Sequence, residues 1–216
     1  MQRLCLVTTI WVLTGLLQAS ASTNIVSADS RFADQATALQ QRGYNFDQIF
    51  GELCKTALAN SDSNPKFHID DQVRSLFGGL WMWMSKGGNG TLQGRQDWAF
   101  HFIGGGAFEG YWDLGRTAAV IKERADSRDP NNRFDLDDMA ATMLGARWVD
   151  LVENSTPSEG RRWVELWATR RFSITGALPR LRYGQMPQGK EATEQQIAII
   201  RRAVDEALTL PPPPAQ

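Results

Sequence analysis

The sequence predicts an all-α protein, a single compact multi-helix domain after an N-terminal signal peptide. Apolar residues recur at three- and four-residue spacing along most of the chain, which is the period of a helix with one buried face. No stretch alternates apolar and polar residues long enough to predict a strand, and the nearest candidate, 172–183, contains Pro179. No linker is long enough to divide two cores. We therefore expect one helical domain over 22–210 and a disordered Pro-rich tail over 211–216.

Residues 1–21 have the order of a secretory signal peptide. Arg3 gives a positive start, a mostly apolar run covers 4–17, and the small residues 19–21 fit a cleavage site. The run is shorter than the roughly 20 residues that a membrane-spanning helix needs, which disfavours the alternative of an uncleaved anchor. We expect an exported protein, periplasmic or extracellular, whose mature chain begins at Ser22.

The charge balance and the cysteine count exclude several classes of protein. With 23 Lys and Arg against 24 Asp and Glu, the chain does not bind nucleic acid through bulk positive charge. Two cysteines are too few for a disulfide scaffold or a cysteine-rich zinc site, and cleavage leaves only Cys54. Cys54 lies among helically spaced apolar residues in 46–58, which favours a buried structural thiol over a nucleophile.

Start and stop signals place the helices of the first half. A helix that includes Val73 and Met84 is predicted to begin at Asp70 or Asp71 and to stop in the glycine-rich loop 86–90.

The apolar stretch 98–121 follows, and it is long enough to cross a membrane. It contains Glu109, Asp113 and Arg116, each of which costs about 2.5–3.5 kcal/mol near a bilayer centre. A buried helix pair or a shallow peripheral membrane contact is therefore favoured over a span.

Three more helices are predicted in the second half. One begins at Asp135 and continues to about Val152, and a second covers 158–172. A capping box of Thr193 and Gln196 begins the last.

The segment between residues 97 and 138 contains most of the candidate functional side chains. Asp97 and His101 lie four residues apart on one helical face, and Glu123 and Asp126 lie three apart on another. One histidine with carboxylates can hold a divalent metal or act as general acid and base. The candidate catalytic residues are His101, Glu109, Glu123 and Asp126, with Asp97, Lys122 and Asp138 completing the polar cluster.

A structural interpretation of the same residues stays open. Asp97 then caps a helix, Lys122 pairs with Asp126, and His101 is a hydrogen-bonded interior histidine. The sequence specifies no cofactor, and a divalent metal at the His101 cluster is the only one it admits.

Three short motifs in 97–149 resemble small bacterial envelope proteins, namely the VanZ-like membrane proteins and a related group of lipoproteins. The motifs are Asp-x-x-x-His-Phe-x-x-Gly, Lys-Glu-x-x-Asp, and Phe-x-x-x-Asp followed by Gly-Ala. The matching positions are Asp97, His101, Phe102, Gly105, Lys122, Glu123, Asp126, Phe134, Asp138, Gly145 and Ala146. Met139 and Thr142 depart from the pattern, which often has Leu and Asp or Asn there. The resemblance implies packed helices with a polar cluster between them, and no established reaction.

A basic and aromatic segment is a second candidate site. Residues 160–183 contain six arginines and one acid, interleaved with tryptophans. Such a surface is suited to anionic headgroups, anionic glycan or a protein partner. The alternative is that the arginines face solvent or pair with the acidic loop. The candidate binding residues are Arg161, Arg162, Trp163, Trp167, Arg170 and Arg171.

Three functions follow from these features. The leading hypothesis is a non-enzymatic, exported helical protein of the bacterial envelope that acts through contacts with envelope components or a protein partner. The alternative is a periplasmic metal-dependent or acid–base hydrolase that uses His101, Glu123 and Asp126. A third is a peripheral membrane protein of VanZ-like descent. None of these hypotheses involves nucleic acid.

Overall fold

Eight α-helices form the part of the chain that the computed structural model describes, residues 23–64, 68–169 and 183–209. The predicted all-α fold is confirmed. The helices are α1 (Thr23–Gln41), α2 (Phe46–Ser63), α3 (Ile69–Ser85), α4 (Gln96–Trp112), α5 (Gly115–Asp126), α6 (Leu136–Glu153), α7 (Pro157–Ala168) and α8 (Glu194–Ala207). The predicted signal peptide, Arg170, Arg171 and the Pro-rich tail lie outside the described residues.

The stretch 98–121 contains two helices rather than one. Helix α4 ends at Asp113, which adopts a left-handed conformation with φ of 54°, and α5 begins two residues later at Gly115. The predicted helix pair is confirmed. None of the helices within the described ranges is long and apolar enough to cross a membrane.

Side-chain caps fix the starts of four of the eight described helices. Asp135 accepts hydrogen bonds from two backbone N–H groups of α6, and Thr193 and Gln196 form the predicted capping box of α8. Helix α3 differs from its prediction, because it begins after His68, which makes no side-chain cap. Asp70 and Asp71 lie within the first turn of α3, where their charges complement the helix dipole.

Aromatic rings from five helices fill the core. The Phe50 ring lies 4.7 Å from Trp167, 5.4 Å from Trp148 and 5.7 Å from Phe102, centroid to centroid, mostly edge to face. Cys54 is also fully buried, and burial raises the pKa of its thiol well above the ordinary value. The predicted burial of Cys54 is confirmed.

Helices α4 and α6 make the closest crossing of the fold. They run parallel, because contacts advance along both together, from His101 with Thr142 to Gly110 with Val149. A β-carbon on Gly145 would overlap the backbone carbonyl of Phe102 in α4. The absence of side chains there lets the two backbones touch. Helix α5 returns alongside the pair, so that the end of α5 reaches the starts of α4 and α6.

Candidate functional site

Three helices each contribute one ionisable side chain to a shared cluster. His101 comes from α4, Glu123 from α5 and Asp138 from α6, and one potential ligand atom of each lies within 4.8 Å of the other two. We call these residues the triad. The Glu123 side chain is only 1% exposed, whereas those of His101 and Asp138 are 11% and 16% exposed. The triad is therefore buried on the Glu123 side and reaches solvent on the other.

Hydrogen bonds on the far side of the His101 ring determine which nitrogen carries its proton. The Thr142 hydroxyl donates its single hydrogen to the Asp138 backbone carbonyl at 2.9 Å, and it lies 3.0 Å from His101 Nδ1. When the hydroxyl donates to that carbonyl it accepts from Nδ1, and the proton of the neutral ring then lies on Nδ1. The Nε2 lone pair of neutral His101 then points toward Asp138 Oδ2, 3.1 Å away.

In this tautomer His101 Nε2 and Asp138 Oδ2 are both hydrogen-bond acceptors. At 3.1 Å they repel each other unless a proton or a cation binds to one of them or lies between them. A second proton on His101 removes this repulsion by making an imidazolium that donates to Asp138. A metal ion bound by Nε2 and the carboxylates also removes it, because metals bind the neutral imidazole and the ionised acid. The geometry of the triad thus fits either a proton or a divalent cation.

Glu123 is held in place through both of its carboxylate oxygens. Oε1 accepts from Lys122 Nζ at 2.6 Å, and Oε2 accepts from the Asp135 backbone N–H at 2.9 Å. Burial raises the pKa of Glu123 above its ordinary value, although the Lys122 ammonium opposes this effect. Lys122 also donates to Asp126 at 2.7 Å, so a single ammonium bridges two carboxylates.

One carboxylate oxygen of Asp138 has no hydrogen-bond donor among the described residues. This oxygen, Oδ1, is buried, and Arg95 Nη2 remains 3.9 Å away. The Asp138 side chain is held through its other oxygen, because Oδ2 lies 3.1 Å from His101 Nε2. A buried carboxylate oxygen without a donor is costly, and a bound cation would remove that cost.

The surroundings of the triad carry a surplus of negative charge. Lys122 and Arg95 are the two cations in contact with the triad within the described residues. The acids in and around the cluster are Asp97, Glu123, Asp126, Asp135, Asp137 and Asp138. Such a surplus attracts cations to the exposed side of the site.

The structure corrects the predicted partners of His101. Asp97 does not orient the His101 ring but forms an ion pair with Arg95, which lowers the pKa of Asp97. Asp126 reaches the triad only through Lys122. Asp138, assigned from sequence to the surrounding polar cluster, is the carboxylate that contacts His101.

Glu109 lies outside the triad. Its Oε2 accepts from the Gly115 backbone N–H at 2.8 Å, which fastens the turn between α4 and α5. Eight residues separate Glu109 from His101 along α4, a rise of about 12 Å. The predicted catalytic role of Glu109 therefore has no support in the geometry.

The basic and aromatic segment does not present its tryptophans to solvent. Trp163 and Trp167 are 1% and 2% exposed, because α7 turns its aromatic face into the core. Arg161 is paired with Asp62 at 2.6 Å and with Glu165 at 2.9 Å. Within the described residues, the two tryptophans of the predicted binding surface are therefore buried, and Arg162 is half-buried.

Sequence reasoning did not assign Thr142 and Asp135 to the site. Thr142 fixes the His101 ring, and Asp135 links Glu123 to the start of α6. The departure of Thr142 from the envelope-protein pattern is the feature of the sequence that singles out this position.

The residues that carry the envelope-protein resemblance have two physical roles in the structure. Gly105 and Gly145 permit the close α4–α6 crossing, and His101, Glu123 and Asp138 form the triad. No protein-family model, no curated protein and no solved structure matches the chain. The resemblance therefore stays a prediction.

A second polar group lies at the other ends of α4 and α6. Arg74 Nη2 pairs with Glu153 Oε1 at 3.1 Å, and the Glu153 side chain is 11% exposed. Burial raises the pKa of Glu153 to about 7 against the pull of Arg74, and Asp113 and Asp70 add like-charge repulsion.

We expect Glu153 to make the fold less stable as the pH rises from about 4.5 to about 7. The folded state keeps the Glu153 proton over that range while the unfolded state releases it, so the stabilisation is complete below the range and lost above it. The Glu153→Gln variant has no proton to lose, so wild type should lose on the order of 3 kcal/mol relative to it. Urea denaturation of both proteins from pH 4 to pH 8 measures this difference. A difference that does not vary with pH would contradict it.

Proposed function

We propose that the protein is an exported helical protein that binds one divalent cation at the triad. The observation that carries the proposal is the position of the His101 ring, whose Nδ1 lies 3.0 Å from the Thr142 hydroxyl and whose Nε2 lies 3.1 Å from Asp138 Oδ2. The buried, unbonded Oδ1 of Asp138 and the nearby Glu123 carboxylate supply further ligand atoms. The three side chains come from three separate helices, so the fold itself sets their spacing.

The donor set favours a transition metal over calcium or magnesium. Calcium and magnesium take oxygen ligands, whereas one imidazole with two carboxylates suits Zn²⁺ or Mn²⁺. Ligands on a zinc ion at about 2.0–2.1 Å stand roughly 3.3 Å apart, close to the 3.1 Å between His101 and Asp138. Glu123 would move toward the ion as Lys122 gives up part of its interaction.

Hydrolysis is the chemistry that such a site would support. Three protein ligands leave a position for water, and a bound divalent metal lowers the pKa of that water. The hydrolase hypothesis therefore remains part of the proposal. Its residues are now His101, Glu123 and Asp138, because Asp138 replaces Asp126 in the cluster. The contact hypothesis has less support, because α7 buries Trp163 and Trp167.

Calorimetric titration of chelator-treated protein with Zn²⁺ and Mn²⁺ tests the proposal. We expect one ion per chain, and a loss of affinity of at least a hundredfold in Asp138→Asn and His101→Ala. Thr142→Val should lose about 10–100-fold, because it removes the group that orients a ligand rather than a ligand. Asp62→Asn is the matched control and should bind as wild type does, since Asp62 belongs to a separate exposed ion pair with Arg161.

Two results would overturn this function. One is the absence of saturable binding of either ion to wild type. The other is equal binding by Asp138→Asn and Asp62→Asn, which would attribute the affinity to the general acidity of the protein.

Export has a separate test. The apolar run of residues 4–17, followed by the small residues 19–21, supports cleavage before Ser22. N-terminal sequencing of the protein from the periplasm or the medium should therefore begin at Ser22. A cytosolic protein that retains Met1 would contradict export and leave the metal proposal unaffected.

A further inference from the structure

A cavity of about 370 Å³ lies where α3 meets the ends of α4 and α6. It is lined by Arg74, Gly110, Tyr111, Trp112, Asp113 and Glu153. Ten residues of α4 separate Tyr111 from His101, a rise of about 15 Å, so the cavity and the triad are separate sites. Its volume lies within the range of small-molecule sites in proteins.

The positively charged side chain in the cavity wall, Arg74, already has two acidic partners. Arg74 Nη2 lies 3.1 Å from Glu153 Oε1, and Arg74 Nη1 lies 3.5 Å from Asp71 Oδ1. Asp113 has no ion pair within the described part of the chain and is exposed at the rim. The cavity therefore has a surplus of negative charge, which disfavours an anion and favours a cation.

The backbone conformation of Asp113 also supports a site for a cation. Asp113 ends α4 in the left-handed region at φ 54°, a position where glycine is the residue of lowest strain. An aspartate is tolerated there at some cost. Helix termination alone therefore gives no reason for a carboxylate at the rim.

Aromatic rings form the apolar part of the cavity wall. The rings of Tyr111 and Trp112 lie 5.7 Å apart, centroid to centroid. Tyr111 is fixed because its hydroxyl donates to Asp29 Oδ2 at 2.7 Å. Rings beside carboxylates are suited to organic cations, since the ring faces also attract positive charge.

We propose that this cavity binds a small organic cation, with an ammonium or amidinium group between Asp113 and Glu153 and an apolar body against Trp112. Arg74 binds Glu153 through Oε1, and a cation bound at the other oxygen would favour the ionised form of the Glu153 carboxyl. The site takes one molecule of the size of an arylalkylamine.

Three probes of equal shape and different charge test the proposal. They are benzylamine, benzyl alcohol and benzoate, titrated into the full protein by calorimetry with a chelator present, so that the triad makes no contribution. We expect benzylamine to bind one per chain at least tenfold more tightly than benzyl alcohol, and benzoate not to bind. Preferred binding of benzoate, equal binding of all three probes, or no binding of benzylamine would overturn the proposal.

Asp113→Gly separates ligand binding from helix termination. The substitution relieves the left-handed aspartate, so the variant should keep or raise the melting temperature while it loses at least tenfold in benzylamine affinity. Glu52→Gln on α2 is the control and should bind benzylamine as wild type does, because Glu52 pairs with Lys55 away from the cavity. Unchanged benzylamine affinity in Asp113→Gly would contradict the site. Neither outcome bears on the metal titration of the triad.

Discussion

Replacing Gly145 with alanine should lower the free energy of unfolding by about 3 kcal/mol or more. The new β-carbon would overlap the Phe102 carbonyl oxygen and approach the Gly106 backbone nitrogen, both in α4. Backbone atoms cannot turn aside as a flexible side chain can, so α4 and α6 must move apart. Because protein interiors are packed as densely as organic crystals, this shift would disturb the aromatic core behind the crossing. Urea denaturation followed by far-ultraviolet circular dichroism measures the loss.

Gly110→Ala is the matched control in α4. A β-carbon on Gly110 would make only ordinary contacts, at 3.4 Å from Arg74 Cγ and from Val149 Cγ1. Alanine is the better helix former by about 1 kcal/mol, so this variant should be as stable as wild type or more stable. Equal stability of Gly145→Ala and Gly110→Ala would mean that the two helices do not meet closely at Gly145.

The second large effect is expected at Glu123. Glu123→Ala should cost about 3 kcal/mol in chelator-treated protein, because it leaves the Asp135 N–H and the Lys122 ammonium without their shared acceptor. Glu123→Gln should cost roughly half as much, since an amide oxygen can still accept one of these hydrogen bonds. The same denaturation measurement applies, and the ranking of the two variants is the informative result.

Asp126→Ala provides the comparison. Asp126 pairs with the same lysine at 2.7 Å but is one-third exposed, and exposed ion pairs contribute within about 1 kcal/mol. A loss in Asp126→Ala as large as that in Glu123→Ala would show that burial of Glu123 is not the cause.

Most of the fold could be predicted from sequence because helix signals are local. The capping pair Thr193 and Gln196 lies within four residues, and Asp135 precedes the α6 start that it caps. Helix α1 was not assigned, although Phe32, Ala36 and Leu39 are buried along one face. Small residues among polar neighbours gave this face a weak apolar signal.

The candidate site was harder to predict because its partners come from different helices. Spacing along one helix shows which side chains share a face, but not which other helix that face meets. His101 could thus be placed with Asp97, four residues away, when its actual partner Asp138 is 37 positions later in the chain. For Trp163 and Trp167, spacing revealed the shared face but not that this face turns into the core.

The first turn of α6 also joins the triad to the last part of the chain. The Asp137 carboxylate accepts from the backbone N–H groups of Tyr183 and Gly184, and Asp135 Oδ2 accepts from the Gln185 side chain at 2.8 Å. Asp138 follows directly in the same turn. Hydrogen exchange shows that proteins open in cooperative units of neighbouring segments. We therefore expect release of the C-terminal segment to loosen the first turn of α6 and with it the triad, and a cation bound at the triad should slow amide exchange as far away as α8.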